Sequence, residues 1–290
     1  MKMKKKKLSI LLVLMLVMTI FTILEINIFH ENGWAKGGQV MNNGSEKFFA
    51  AAVKNLNITV IYDNNPYIEG LSTAWGFSCL IRGTEKTILF DTGGNGTILL
   101  ANMERLGIDP GKIDIVVLSH IHGDHVGGLE KLLEKNKNVT IYLPGSFPNR
   151  FKDGLKSAGI KITEVQGFTK ICEDVYSTGE LGTWIKEQSL IIHTDKGIIL
   201  ITGCSHPGIV KIITKATELI RDDVLFVMGG FHLAGIGKSE LGEILHSFRK
   251  LKVKHVAPCH CSGDLARQMF KKEFHNNYIN VGVGRVIQFK

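Results

Sequence analysis

Short apolar runs alternate with amphipathic stretches along the chain from about residue 56 to its end. The short runs are rich in valine and isoleucine and are bounded by glycine, asparagine and aspartate, which is typical of β-strands. Two other segments repeat their apolar residues every three or four positions, the period of an amphipathic helix. The pattern predicts strands at residues 58–62, 77–81, 87–90, 114–119, 139–143, 190–194, 198–202 and 224–228, and helices over residues 209–220 and 241–251.

The order of these elements indicates the fold class. Some predicted strands follow one another directly, and others are separated by a helical segment. This mixture is typical of sheets that pack beneath helices, and it argues against a purely doubly wound parallel sheet. The chain is therefore expected to be an α/β (α+β) protein in which both predicted helices cover a sheet.

The first 35 residues depart from this pattern. Lysine occupies positions 2 and 4–7, and residues 8–24 then contain no charged side chain. About 17–20 residues at ~1.5 Å each just cross a bilayer core, and this run exceeds the apolar part of a typical signal peptide. Residues 1–35 are therefore predicted to be a signal peptide or, because no clear cleavage site follows, an uncleaved signal-anchor. The lysines would stay cytoplasmic, so the protein is expected to be exported, either anchored in the membrane and facing outward or, after cleavage, secreted.

Composition describes the remainder of the chain. Residues 36–55 hold glycine, asparagine and serine without a period and are predicted to link the N-terminal segment to a domain spanning residues 56–290. Apolar residues make up 44% and charged residues 21% of the 290 residues, which excludes a disordered protein. A mean hydropathy of +0.10 with one long apolar run excludes a multi-span membrane protein.

Charge and cysteine content exclude two further classes. The formal net charge is +8, but five lysines lie in the first seven residues and no second basic cluster follows. Aromatic residues do not alternate with basic ones either, so no nucleic-acid partner is expected. The five cysteines are an odd number without C-x-x-C spacing, so no disulfide framework is predicted.

The segment Ser-His-Ile-His-Gly-Asp-His at residues 119–125 carries the strongest chemical signal. His120 and His122 leave a predicted strand two positions apart, so their side chains point the same way and can bind one cation. Asp124 and His125 follow at the start of an amphipathic segment. Four close ligands exceed what a single open zinc site takes from one loop, which favours two metal ions. Without a cation, such a cluster would suffer repulsion or desolvation.

Three further candidates lie at the ends of apolar runs, at Asp91, His206 and His260. His206 and His260 are predicted metal ligands. Asp91 has two interpretations: it accepts the spare N–H of a ligating histidine and so fixes its tautomer, or it caps a turn.

Other residues near these motifs have less specific signals. His232 also ends a predicted strand and is a metal ligand, a substrate contact or a core histidine. Cys259 and Cys261 flank His260 and are expected to point away from it into packing. The aromatic residues close to the motifs either line a pocket or, as is favoured, lie in the core; they are Trp75, Phe77 and Phe231.

Together these residues resemble a known family. His-x-His-x-Asp-His at 120–125, after an apolar strand, and Leu-Phe-Asp-Thr-Gly at 89–93 resemble the motifs of the metallo-β-lactamase superfamily. A branch related to the archaeal dihydropterin (aminobenzene ribofuranosyl phosphate) synthases is indicated by further motifs, at residues 63–64, 76–78, 202–206, 229–233 and 258–263. The resemblance covers residues 56–290 and implies a four-layer αββα sandwich with metal ions at one edge of the two sheets.

The resemblance also bears on individual residues. It implies that Asp124 binds the second metal, orients the attacking water and is thus the catalytic residue, and that His260 is the last histidine ligand. Usual hydrolases of the superfamily carry a bridging aspartate where this chain has Cys204. A thiolate is a soft ligand suited to zinc and can bridge two ions, but a small buried residue fits the position equally well. Either one or two ions are therefore compatible with the sequence.

The leading functional hypothesis is a metal-dependent hydrolase that acts on an ester, lactone, phosphoester or amide-type bond of a small molecule. The expected cofactor is zinc, as one or two ions, with manganese or iron also compatible. Two alternatives are a transferase like the synthases of the branch and a membrane-tethered module that binds metal without turnover. No nucleophile elbow Gly-x-Ser-x-Gly occurs in the sequence.

Overall fold

Two β-sheets pack face to face at the centre of the protein, as seen in a computed structural model that describes residues 55–290. The described residues fall within one structural unit. The strands, in chain order, are β1 (Leu56–Tyr62), β2 (Ser78–Arg82), β3 (Ile88–Phe90), β4 (Ile115–Val117), β5 (Thr140–Pro144), β6 (Lys161–Val165), β7 (Thr169–Cys172), β8 (Val175–Ser177), β9 (Leu190–Thr194), β10 (Gly197–Thr202), β11 (Val224–Gly230), β12 (His255–Cys259) and β13 (Val286–Phe289).

The first sheet has the strand order β13-β1-β2-β3-β4-β5-β6, and the second has the order β12-β11-β10-β9-β8-β7. Pairing is parallel within β3-β4-β5-β6 and within β10-β11-β12, and antiparallel elsewhere. The α-helices of the described residues are α1 (Gly96–Arg105), α2 (Gly123–Val126), α3 (Leu129–Lys135), α4 (Asn149–Ser157), α5 (Ile209–Ile220), α6 (Lys238–Lys250) and α7 (Asp264–Phe274).

Strand β10 is apolar on both faces, and each face packs into a different hydrophobic core. Ile199 and Ile201 point into the core between the sheets, whereas Ile198 and Leu200 pack against the helices outside the second sheet. Successive side chains of a strand alternate between its faces, so a strand covered on both faces is apolar at nearly every position. Helices α5, α6 and α7 cover the second sheet, and α1, α3 and α4 cover the first. The αββα sandwich expected from the sequence is confirmed.

All eight strands and both helices predicted from periodicity are present, with their ends displaced by a few residues. The sequence pattern missed α1, α4, α7 and five strands. Four of those strands, β6, β7, β12 and β13, lie at the edges of the sheets. Edge strands are partly exposed and therefore accept charged side chains, as in the Lys-Ile-Thr-Glu-Val sequence of β6, which weakens the apolar signal.

The predicted signal peptide or signal-anchor, residues 1–35, lies outside the described residues, as does nearly all of the predicted linker. In the part of the chain that the structure describes, no helix is long and apolar enough to cross a bilayer.

Asn102 on α1 ties the loop after β1 to the first sheet. Its buried amide donates to the carbonyls of Ile61 and Ser72 at 2.9 and 2.8 Å and accepts from the Ser72 N–H at 2.9 Å. Asn102→Ala leaves these groups without partners, so we expect a loss of roughly 2–3 kcal/mol in the free energy of unfolding. Urea denaturation measures it, with the exposed Asn276→Ala as control. A loss below about 0.5 kcal/mol would contradict this role.

Candidate metal centre

The candidate residues meet where parallel strands of both sheets end. Asp91 follows β3 and the 119–125 segment follows β4 in the first sheet, while Cys204, His232 and His260 follow β10, β11 and β12 in the second. The carboxyl ends of parallel strands lie at one edge of a sheet, which is why residues far apart in sequence converge here.

Three histidines form the first ligand group. The Nε2 atom of His120 lies 3.1 Å from Nδ1 of His122, which lies 3.2 Å from Nε2 of His206. The three rings are in mutual contact, with centroids 4.7–4.8 Å apart. The structure therefore brings His206, 84 residues away from His122, to the position predicted for a third ligand.

Asp124, His125 and His260 form the second group. An Asp124 carboxylate oxygen lies 3.2 Å from Nε2 of His260 and 3.5 Å from Nε2 of His125. Both histidines are buried, and the Asp124 side chain is 21% exposed. This group thus combines two imidazoles with one partly accessible carboxylate.

Cys204 belongs to both groups. Its sulfur lies 3.1 Å from Nε2 of His125 and 3.3 Å from Nε2 of His260. It is also close enough to His120 and His206 to share a cation with them. A thiolate here has the position of a bridging ligand, although its burial also suits a small packing residue.

Hydrogen bonds on the far side of three histidine rings determine which ring nitrogen carries the proton and which faces the site. Asp91 is fully buried, and its Oδ2 atom lies 2.7 Å from both Nδ1 of His125 and Oγ of Ser119. Because the Ser119 hydroxyl donates to Asp91, it accepts from Nδ1 of His120, 2.9 Å away. The Nδ1 proton of His260 faces the Asn64 carbonyl oxygen at 3.0 Å.

These hydrogen bonds leave the ring nitrogens that face the site free to bind a metal ion. With their protons on Nδ1, His120, His125 and His260 each direct an unprotonated Nε2 toward Cys204 or another ligand nitrogen. Several lone pairs converging in a buried space repel one another unless a cation lies between them. The donor set of imidazole, carboxylate and thiol suits zinc. The residues therefore fit a metal centre.

The electrostatics agree with this donor set. Burial lowers the pKa of His120 well below its usual range. Burial, and to a smaller extent the charge of the nearby His232, lower the pKa of His206 to about 4. Burial opposes ionisation of Asp124, but its contact with His260 and the charge of His125 outweigh burial and lower the Asp124 pKa. Near neutral pH, the metal-free site thus holds His120 and His206 unprotonated beside an ionised Asp124, the forms of these groups that bind metal. Burial lowers the pKa of His125, but the charge of Asp91 outweighs burial and raises it.

Glu187 was not anticipated from the sequence. Its buried carboxylate accepts the backbone N–H groups of Cys204, Ser205 and His206 at 2.8–2.9 Å, which holds the loop carrying two candidate ligands. Burial raises the Glu187 pKa to about 7 despite these bonds. No sequence signal identifies such a residue, because its partners are backbone amides that any sequence supplies.

Two packing predictions were wrong. Trp75 is 57% exposed, and its ring lies 4.9 Å from that of His260, so it borders the site instead of the core. Cys261 also points toward the site, close to Cys204 and His232, because a 3-10 turn follows β12 where an extended chain was assumed. Phe77, Phe231 and Cys259 are buried as expected.

His232 is exposed, which excludes the core interpretation. Its ring lies 4.5 Å from the His206 ring, at the edge of the first ligand group. Both histidines line a cleft of about 780 Å³ between α5 and α6. A ligand role and a substrate contact both remain compatible with this position.

The lowered His206 pKa predicts a pH-dependent stability of the metal-free protein. Between pH ~6.5 and about 4, the unfolded chain binds a proton at His206 that the folded chain does not. The contribution of His206 to the free energy of unfolding therefore falls as the pH is lowered through that window. We expect the wild type to lose stability relative to His206→Gln between these pH values in urea denaturation with a chelator. If the difference in free energy of unfolding between the wild type and His206→Gln stayed constant over these pH values, the lowered pKa of His206 would be contradicted.

Comparison with known proteins agrees with this geometry. Residues 76–227 match the family model of the Metallo-beta-lactamase superfamily. The chain is 29% identical to 7,8-dihydropterin-6-methyl-4-(beta-D-ribofuranosyl)-aminobenzene-5'-phosphate synthase of Methanocaldococcus jannaschii, with 82% of this chain and 98% of that protein covered. It is 30% identical to an uncharacterized protein of the same organism, with 79% and 99% covered.

A solved structure is similar as well. The crystal structure of a metal-dependent hydrolase of the beta-lactamase superfamily superposes with a TM-score of 0.68 and 27% identity, covering 80% of this chain and 98% of that one. The fold and the site place the chain among the metallo-β-lactamase-fold proteins. It belongs to the metallo-β-lactamase superfamily, in the branch that resembles the dihydropterin-ribofuranosyl-aminobenzene phosphate synthase.

Proposed function

We propose that this protein is a metal-dependent hydrolase that cleaves an ester, lactone, phosphoester or amide-type bond of a small molecule. The observation that carries the proposal is the convergence of two ligand groups on Cys204 beside a cleft of about 780 Å³. The proposed ligands are His120, His122 and His206 in the first group and Asp124, His125 and His260 in the second, with Cys204 shared.

When bound, a zinc-type cation lowers the pKa of a coordinated water from ~15.7 toward ~7 and polarises a carbonyl or phosphoryl oxygen. The residues of the chain prepare the site for this chemistry. Asp91 keeps the His125 proton on Nδ1, and Asn64 does the same for His260. Asp124, ionised and partly accessible, has one carboxylate oxygen near the two histidines and a second that is available to orient the attacking water.

The cleft suggests the character of the substrate. Apolar residues of α5 and α6, Ile209, Val210 and Ile244, line it together with charged ones, and His206 and His232 line it as well. An apolar group of the substrate would pack between the helices while the scissile bond reaches the ligand groups.

Metal analysis and turnover test the proposal together. The full chain is purified, its zinc, manganese and iron contents are measured, and it is assayed against esters, lactones, phosphodiesters and β-lactams. We expect one or two equivalents of metal and hydrolysis of at least one class, lost on chelation and restored by zinc. Bound metal without turnover of any class would favour a non-catalytic metal-binding module instead.

A transferase is the second candidate, because the relative of 29% identity is named a synthase. Superfamily membership alone does not transfer its reaction. The predicted export signal argues against a substrate made in the cytoplasm, so location helps to separate the two candidates. We propose that residues 8–24 carry the chain to or across the membrane. Cell fractionation of the full chain tests this, and recovery in the cytoplasm would favour the transferase.

A further inference from the structure

A third ligand group adjoins the two described above and consists of Cys204, His232 and Cys261. One donor atom from each lies within 4.8 Å of the donors of the other two. The Cys261 thiol donates to the backbone carbonyl of Cys204 at 3.6 Å, which holds its sulfur beside the other two donors. The proposed hydrolytic mechanism uses neither Cys261 nor His232.

The local backbone is shaped around these donors. A Cβ atom on Gly230 would lie 2.6 Å from the Cys261 sulfur, so only glycine allows the sulfur this position. His232 has φ 54° and His260, which precedes Cys261, has φ 47°. Left-handed backbone is costly for residues other than glycine, and it clusters where surrounding structure enforces a functional geometry.

The donor chemistry differs from that of the other two groups. Two sulfurs and one imidazole form a soft set, whereas the histidine groups offer mainly nitrogen and oxygen. Soft cations prefer thiolates and tolerate low coordination numbers. Both sulfurs are only 4% exposed, while His232 faces the cleft and offers an ion a route from solvent.

We propose that Cys204, His232 and Cys261 form an additional site, overlapping the other two groups at Cys204, for a soft, thiophilic cation of the Cu(I) or Cd(II) type. Binding converts two thiols to thiolates and releases two protons, while His232 donates a ring nitrogen lone pair. Because Cys204 also belongs to the two histidine groups, an ion held here draws its sulfur away from them. The site is therefore a point at which a soft metal competes with the zinc-type centre.

The test uses Cd²⁺ as the probe. Full-length protein, reduced and loaded with two equivalents of Zn²⁺, is titrated anaerobically with Cd²⁺ while the ultraviolet sulfur-to-cadmium charge-transfer absorption is recorded. We expect the wild type to reach saturation with an absorption that requires both thiolates. Cys261→Ser should lose about half of this absorption, and both Cys261→Ser and His232→Ala should bind Cd²⁺ at least about tenfold more weakly.

Two controls keep the test decisive. Cys172→Ser removes a thiol that is buried in the inter-sheet core and should titrate like the wild type. His232 is exposed, so His232→Ala should fold even if a cysteine variant does not; circular dichroism verifies this. Wild-type titration curves for both Cys261→Ser and His232→Ala would overturn the proposal. That outcome leaves the hydrolase proposal intact, because the test measures no turnover and its variants change neither the six proposed ligands nor Cys204.

Discussion

Replacing His120 and His122 together with alanine is expected to remove metal from the first ligand group and to reduce hydrolysis by roughly 10³-fold. The two rings supply two of the three nitrogens in that group, and His206 alone leaves a single imidazole there. Loss of several kcal/mol of transition-state stabilisation by the metal corresponds to this factor, since ~1.36 kcal/mol is tenfold in rate. Metal content and turnover are measured on the same preparations.

His246→Ala is the matched control, because this histidine lies exposed on α6 outside all three ligand groups. It should retain wild-type metal content and activity. The prediction fails if the double variant keeps both while its circular dichroism spectrum shows a native fold. In that case the 120–125 segment would have a structural role, and the proposed function would lose its main support.

Asp91→Asn is expected to weaken metal binding by about 10–100-fold and to lower the free energy of unfolding of the metal-free protein by roughly 1–3 kcal/mol. The Asp91 carboxylate accepts three hydrogen bonds, from the Ser119 N–H at 2.6 Å, the Ser119 hydroxyl and His125. An asparagine that keeps the first bond turns its NH₂ group toward His125. His125 then places its proton on Nε2, the nitrogen that must bind metal.

Asp91→Asn changes the side-chain hydrogen bonds of this residue without straining its backbone. Asp91 has φ 55°, a left-handed conformation that asparagine adopts as readily as aspartate. Asp114→Asn is the control, because this exposed carboxylate accepts the Thr87 N–H and lies away from the site. Isothermal titration with zinc and urea denaturation measure the two effects. Equal zinc affinity for wild type and Asp91→Asn would show that Asp91 merely caps a turn.

The 119–125 segment was the part of the site most accessible from sequence. Its ligands lie within six residues, and strand periodicity alone places His120 and His122 on one side. His206 and His260 were proposed because each follows an apolar run, the position at which a strand ends. The position of each of these residues after a strand is a local feature, and a linear pattern can therefore indicate it.

Other contributions to the site depend on contacts between distant segments. Glu187 acts through three backbone amides 17–19 positions away, and Asn64 reaches His260 across 196 positions. Cys261 was expected to point into packing because the chain there was assumed to be extended. The turn His260–Ser262 rotates its sulfur toward Cys204, a change that side-chain alternation does not describe.

By itself, the sequence determined the α/β class, all interior strands except β8 and the four-ligand segment after β4, because hydrophobic period and residue spacing express these features locally. Only the tertiary structure decided the edge strands and the position of Cys204, which three ligand groups share. It also decided the hydrogen bonds from Glu187 to the 204–206 backbone and the exposure of Trp75. The physical reason is that burial and hydrogen-bond partners depend on which segments the two sheets bring together, and that pairing is a property of the whole fold.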